Sequence, residues 1–462
     1  MRLARATLGH VPADVATPRY APADVGIGVV HLGIGAFHRA HQAVFFDDLI
    51  AQGGGDWRIC GVSLRSAGVR AQLADQDCLY TLVERDAEGE RLRIIGSVAE
   101  ILVAGEQRDA VIARLAAPAT QLVTLTITEK GYCHDPATGA INVDHPDILH
   151  DLANPAAPRS AIGLLVAALA QRRASGGGPL TILSCDNLPH NGALLRGVVL
   201  ALAGARDAAL AAWTEASIAF PASMVDRIVP ATTDADIGAL TRQIGMVDRG
   251  MVKSEPFRQW VIEDWFAGAR PALDTVGAQF VADVRPFEHA KLRMLNGAHS
   301  TVAYLGLCHG YETVDAAMAD RRIAAVVDQL MREAASTLPP IAGLDPQAYA
   351  TVLQARFRNP ALQHRLAQIA MDGSQKIPQR LLGTMADVYA AGGTPRAAAT
   401  GVAAWLRHLS SAHLNDPLAD RLRAAVSDDV AMLVARALSI EKIFGPLGRQ
   451  QWCRDLIVEM MP

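Results

Sequence analysis

Two hydrophobic rhythms divide the chain. Up to residue 285, short runs of aliphatic and β-branched residues alternate with amphipathic stretches; the runs are GIGVVHLG, WRICGVSL, LYTLVER, RLRIIGSV, QLVTLTIT, LTILSC and VGAQFVADV. They read as β-strands. Nearly uninterrupted apolar ones such as QLVTLTIT suit a sheet covered on both faces, and strand–helix alternation implies parallel crossovers. From PFEHAKLRML onward, Ala, Leu and Arg recur at helical spacing and β-branched runs become scarce. The pattern predicts an α/β fold: a doubly wound sheet domain over residues 1–285, then a mostly α-helical domain over residues 286–462. No internal repeat is visible, and SGGGPL at 175–180 reads as a loop inside the first domain.

Composition narrows the class. A chain of 462 residues is long for one core, which agrees with two domains. With 50% hydrophobic and 19% charged residues it should fold compactly. A formal charge of -4 offers no electrostatic basis for binding nucleic acid or an anionic membrane. No apolar run reaches the roughly twenty residues of a membrane span. The opening MRLARATLGHVPADVATPRY lacks an export signal's apolar core, so a cytoplasmic protein is expected. The six cysteines form no Cys-x-x-Cys pair, which argues against a zinc or redox site and for buried thiols in a reducing compartment.

VVHLGIGAFHRAHQAVFFDDLI reads as strand, glycine turn and helix. Gly33 and Gly35 would let the backbone approach a pyrophosphate at a helix amino terminus. His38 stands at the third glycine of G-x-G-x-x-G, and a turn serving only strand–helix packing would use the same glycines. After the second strand, GVSLRSAG offers Arg65 and Ser66 where an acid would hold the adenosine ribose. Arg65 suits a 2′-phosphate or a plain surface position, so NAD and NADP both stay open.

The densest chemistry lies in EHAKLRMLNGAHS at 288–300. At about 100° per residue on an ideal helix, with Lys291 at zero, Glu288 falls near 60°, His299 near 80° and Asn296 near 140°, all on one face. Oxidising an alcohol without a metal needs a base for the hydroxyl proton, which a desolvated lysine can be, and donors for the oxygen, which carboxamides can be. A merely solvated polar face is the plainer alternative. Against it, the only lysines are Lys130, Lys253, Lys291, Lys376 and Lys442 in a chain whose default cation is Arg. No Tyr-x-x-x-Lys pair and no zinc-type Cys/His cluster competes. A non-catalytic dinucleotide sensor would keep the glycine turn but would not need the Lys–Asn–His face.

Other polar clusters are less specific. Asp186, Asn187 and Asn191 in LSCDNLPHNG follow an apolar strand, as do Glu129 and Lys130 in TLTITEKGYC, where ligands bind or turns simply form. Asp226 and Arg227 sit in an apolar run as a ligand site or a structural ion pair. Lys376 and Arg380 are one helical turn apart and could clamp an anion or face water.

Taken together, GIGAFHRAHQA, TLTITEKGY, SCDNLPHNG, FPASMVDRIVP, EPFRQWVIED, KLRMLNGAHS and DGSQKIP resemble the polyol-specific long-chain dehydrogenase/reductases, the mannitol dehydrogenase family, over nearly the whole chain. The resemblance implies a Rossmann-type first domain, a helical second domain, NAD as cofactor, no metal and a monomer. It implies Lys291 as general acid/base, Asn191 and Asn296 as an oxyanion pair, and Glu288 as a gate for the proton. His299, Asp226 and Lys376, with Arg380 and Lys130, would contact substrate. Gly33, Ile34, Gly35, Ala36, Phe37 and Arg39, with Arg65, Glu129 and Asp186, would contact cofactor.

Three departures from the mannitol pattern bear on substrate. Lys130 replaces the first glycine of TEGGY, KLRMLN lacks the usual Lys-Ile, and Gln368 replaces an Arg before DGS. These look more like the family's fructuronate reductase (D-mannonate oxidoreductase) branch, so the expected partner is a sugar acid, with a polyol such as mannitol or arabinitol as the alternative. Ala67 and Gly68 replace the acids that select the cofactor, which loosens the NAD assignment.

Overall fold

The computed structural model describes every residue except 137, 362 and 413. The chain divides into two compact units, Met1–Val284 and Arg285–Pro462.

The first unit is built on six parallel strands: β1 (Ile27–Leu32), β2 (Arg58–Ser63), β3 (Val98–Val103), β4 (Leu122–Leu125), β5 (Leu180–Ser184) and β6 (Ile218–Ala219). Their order in the sheet is β3-β2-β1-β4-β5-β6, the doubly wound arrangement whose direction reverses between β1 and β4. Side-chain alternation explains why these strands are apolar throughout. Val30, Leu32, Val123, Leu125 and Ile182 pack against Ile162, Leu165, Leu195 and Val199, while Val29, Ile59, Leu122 and Leu183 pack with Phe45, Phe46 and Trp260. A strand buried on both faces has no polar side to show.

Three of the expected strands lie elsewhere. LYTLVER and RLRIIGSV supply Tyr80–Asp86 and Gly89–Ile95, an antiparallel hairpin extended by Val252–Ser254. The Asp86 carboxylate accepts the N–H groups of Glu88 and Gly89, and Gly89 adopts φ 142°, so a tight turn closes the pair locally where a parallel crossover needs a dozen or more residues. VGAQFVADV yields only Gln279–Val281, in a small sheet with Gln259–Glu263 and Ser223–Asp226.

Among its described residues the second unit is helical apart from isolated bridges. Its central helix Gly297–Cys308 packs against Arg321–Ser336, Leu366–Ile369 and Arg396–His408 over a large apolar core. The approach is close: a Cβ on Gly401 would lie 2.4 Å from Thr301 Oγ1. The 288–300 segment is not the ideal helix used to compare angles. It runs α over Arg285–Ala290, π over Lys291–Asn296, and α again from Gly297. In a π turn the residue five positions on, not four, returns over the first, so Lys291 and Asn296 come closer to one face than 140° allows. A second π turn, Pro378–Leu382, packs against the first.

Among the described residues no helix is long and apolar enough to cross a membrane. All six cysteines are unpaired; five are buried, and Cys308, against the expectation of burial, is exposed.

Candidate active site

At the carboxyl end of β1 the chain turns through Gly33 and Gly35, and the two glycines answer different demands. Gly33 has φ +99°, and a Cβ there would lie 2.1 Å from the Thr126 carbonyl at the end of β4. Sheet packing alone requires it. Gly35 has an ordinary φ of -78°, is exposed, and would set a Cβ no nearer than 3.8 Å to any protein atom. The protein does not need glycine at 35, so the open space suits a backbone that a ligand approaches closely.

His38 fills the third glycine's position by stacking on His31, with ring centroids 3.4 Å apart. The His31 ring nitrogens reach Thr124 Oγ1 (2.7 Å) and Thr126 Oγ1 (2.9 Å), tying β1 to β4. Burial pushes His31 down to about 3 and His38 well below the usual histidine range, so both rings are neutral packing groups. Arg39 also turns inward: it donates to the Gly250 carbonyl, lies over the Tyr80 ring and is 5% exposed. These contacts tie Arg39 to the fold.

The ends of β4 and β5 are locked together by Asp186. Its Oδ2 accepts Ile127 N–H (3.0 Å) and the Tyr132 hydroxyl (2.8 Å), and its Oδ1 accepts Thr128 N–H (2.8 Å). A buried carboxylate with three internal donors braces the protein itself. Asn191 is spent in the same way. Its amide donates to the carbonyls of Asp186 (2.9 Å) and Ser223 (2.7 Å), and its oxygen accepts Ser223 N–H (3.1 Å). Both amide hydrogens are used and the side chain is fully buried, so none is left for a substrate oxygen. Gly192 completes the fit, because a Cβ there would lie 2.6 Å from Ala222 N. Asn187, four residues earlier, is the exposed carboxamide of this loop.

Glu129, Lys130 and Arg65 are exposed beyond β4 and β2. Phe37 is half-buried and stacks on His41, whereas the Ile34 side chain belongs to the core and can offer a ligand only backbone. Asp226 is buried at the end of its strand. Its neighbour Arg227 ion-pairs with Glu84 and donates to the carbonyls of Glu255 and Ala40, which shows how an arginine can sit in an apolar run.

In the second unit the two π turns gather the polar groups. Lys291 is 7% exposed, while Glu288, Asn296 and His299 are half-buried. The Arg380 guanidinium donates to Ser300 Oγ (3.0 Å) and the Asn296 carbonyl (3.4 Å), and a Cβ on Gly297 would lie 2.9 Å from the Arg380 carbonyl. His299 stacks on Phe357 at 4.5 Å and meets His364 edge-on at 5.3 Å.

Lys376 is held in the short helix Gly373–Ile377. Gly373 must be glycine, since a Cβ would lie 2.2 Å from Trp405 Nε1, and Asp416 anchors Ser374 through its N–H (2.8 Å) and hydroxyl (2.5 Å). The Lys376 ammonium then donates to the carbonyls of Met371 (2.6 Å) and Ile369 (3.3 Å). Burial, with Arg380 nearby, lowers its pKa, and burial lowers Arg380 to about 10. Ser300, Phe357, His364 and Asp416 carry no local sequence signal; each is recognisable only through long-range contacts.

Residues 27–275 match the mannitol dehydrogenase Rossmann domain, and residues 283–459 match the mannitol dehydrogenase C-terminal domain. This chain belongs to the mannitol dehydrogenase family. It is 48% identical over 399 residues to the D-mannonate oxidoreductase of Escherichia coli K12, covering 85% of this chain and 82% of that one. It is 39% identical over 440 residues to a mannitol 2-dehydrogenase of Phaeosphaeria nodorum, covering 92% and 78%. The solved mannitol 2-dehydrogenase of Pseudomonas fluorescens, a ternary complex with NAD and D-mannitol, superposes with a TM-score of 0.86 at 40% identity, covering 100% of this chain and 96% of that one.

The chain is therefore an oxidoreductase acting on CH–OH groups, with a Rossmann-type sheet domain followed by a helical one. Among the described residues of this mannitol dehydrogenase family enzyme, one trio of potential metal ligands comes together: Cys133, His145 and Asp147, with ligand atoms within 4.8 Å of one another. His145 Nδ1 already accepts Asp147 N–H and caps helix Pro146–Ala153, and a helix amino terminus disfavours a cation.

Proposed function

We propose that this enzyme moves hydride between NAD(H) and a sugar acid, D-fructuronate and D-mannonate being the pair best supported. The observation that carries this reading is the Lys376–Arg380 pair. Two cations one helical turn apart are hydrogen-bonded to carbonyls and a hydroxyl, and burial lowers the pKa of both. A substrate carboxylate would repay the cost of desolvating them and could pair with the planar Arg380 fork, which a polyol hydroxyl cannot do as strongly. The 48% identity to a D-mannonate oxidoreductase supports the same class.

In the second unit, Lys291 takes the hydroxyl proton on Nζ during oxidation and returns it during reduction, while Asn296 donates to the same oxygen. Glu288, in the helical turn before Lys291, passes the proton onward, and His299, held against Phe357, orients the sugar. In the first unit, exposed Asn187 assumes the donor role first expected of Asn191, and Asp226 and Lys130 bind substrate hydroxyls and carboxylate. The open space at Gly35 fits a dinucleotide: the backbone of 33–36, with Phe37, Glu129 and Arg65, would hold it. When bound, the nicotinamide supplies or accepts the hydride.

A second reading, oxidation of a polyol, is favoured by the 40% identity to the Pseudomonas fluorescens enzyme solved with D-mannitol. Absorbance at 340 nm with NAD or NADP and a panel of mannonate, mannitol and arabinitol separates the two. The sugar-acid reading predicts mannonate to have the highest kcat/KM; mannitol exceeding it by tenfold or more overturns that reading.

A further inference from the structure

Thr128 is the third residue after β4, in the loop beside the point where the sheet reverses direction. Its backbone has φ 63° and ψ 164°. That region is essentially reserved for glycine, and a β-branched residue is strained there unless its surroundings hold it. Directly after it come Glu129 and Lys130, both exposed, which open the short helical turn Glu129–Tyr132.

What holds the turn is a closed set of buried hydrogen bonds. Asp186 grips the two consecutive N–H groups of Ile127 and Thr128, one on each oxygen. Tyr132, at the far end of the same turn, places its hydroxyl 2.8 Å from Asp186 Oδ2 and 2.5 Å from Ser184 Oγ, and Ser184 Oγ accepts Asp186 N–H at 3.3 Å. Tyr132 is fully buried and Asp186 is 8% exposed. The clamp thus seizes the turn at both ends, with Glu129 and Lys130 between its two grips. The tight β-to-loop transition also fixes where Lys130 starts, because Gly131 N–H closes on the Thr128 carbonyl at 2.9 Å.

We propose that Asp186 is a positioning residue, which together with Tyr132 clamps the strained Thr128 turn so that Lys130 is presented to the substrate carboxylate. The inference rests on the function proposed above for Lys130 but concerns a different residue, one whose carboxylate is hydrogen-bonded within the protein. In Asp186→Asn the new amide puts a donor against one of three donors, so the turn relaxes.

The test is a kinetic cycle read alongside hydrogen exchange on the full chain. Asp186→Asn is expected to raise KM for the sugar acid about tenfold with a smaller change in kcat. Tyr132→Phe, which removes one donor only, should raise it two- to threefold if Asp186→Asn folds poorly. In a Lys130→Ala background both effects should vanish, because residues acting through one another are not additive. Adding Thr128→Gly to Asp186→Asn should recover part of the loss, since glycine adopts that backbone unaided. The amides of Ile127 and Thr128 should exchange faster in Asp186→Asn while those of β1 keep their protection.

An equal KM rise with and without Lys130, or unchanged protection at 127 and 128, overturns the proposal. If the wild-type enzyme turns over no sugar acid, the functional reading falls; the clamp is then judged on the exchange result alone, which needs no substrate.

Discussion

Replacing Asn191 with alanine distinguishes a brace from a catalytic group. The wild-type carboxamide satisfies three buried backbone groups: the carbonyls of Asp186 and Ser223 and the N–H of Ser223. Its orientation is forced, because two carbonyls can be answered only by the NH2 end. Alanine leaves all three without that partner, each at about 1–3 kcal/mol. Taking the low end, because water can enter a polar gap, the loss is about 3 kcal/mol. For a unit as large as Met1–Val284 a shift of about 2 °C per kcal/mol is expected, so the melting transition should fall by about 6 °C.

The assay is thermal unfolding followed by fluorescence, paired with steady-state kinetics well below the melting point. Asn191→Ala should lose stability and keep kcat within about tenfold. Asn187→Ala should do the opposite, with an unchanged melting point and kcat lowered about a hundredfold, as for loss of an oxyanion donor. If Asn191→Ala melts within 2 °C of wild type while kcat falls a hundredfold, the side chain serves the substrate oxygen and the brace is refuted.

Lys291→Ala should lower kcat by about a hundredfold or more with the dinucleotide Kd within twofold, measured by single-turnover absorbance and nucleotide fluorescence. The two turn glycines should separate. Gly33→Ala, at φ +99° and facing a carbonyl 2.1 Å away, should lower the melting point by several degrees; Gly35→Ala should leave it unchanged and weaken dinucleotide binding about tenfold by titration. Asp236 gives a pH signature. Burial opposes ionisation but is outweighed by hydrogen bonds from Lys253 and Thr233, so the carboxyl sits at about 2. A lowered acid stabilises the fold above its unfolded value near 4, and that contribution disappears as pH falls through 2. The melting-point difference between wild type and Asp236→Asn should therefore be full at pH 6 and shrink below pH 4.

The candidate residues of the second unit were legible as a group because they are local. Glu288, Lys291, Asn296 and His299 lie on one continuous helical segment, so spacing alone groups them, even though the π turn shifts their angles. The polar groups of the first unit are less legible, for a different reason. Asn191, Arg39 and Asp186 look like ligand groups because they are polar residues at turns, where ligand groups are also found. Each is hydrogen-bonded to a partner distant in sequence: Ser223 lies 32 residues from Asn191, Gly250 lies 211 from Arg39, and Ile127 lies 59 from Asp186. The missed third strand, Val98–Val103, fails for another reason: its run follows Ile95 so closely that hydrophobic pattern cannot separate a hairpin arm from a new sheet strand.

The sequence by itself determined that a strand-rich stretch gives way to a helix-rich one, and which residue types could move a proton, because these depend on periodicity and side-chain chemistry. Only the tertiary structure decided which polar groups remain available. A carboxamide whose two amide hydrogens are already taken has none left to donate to a ligand, and at Asn191 the backbone that takes them includes a segment 32 residues further along the chain.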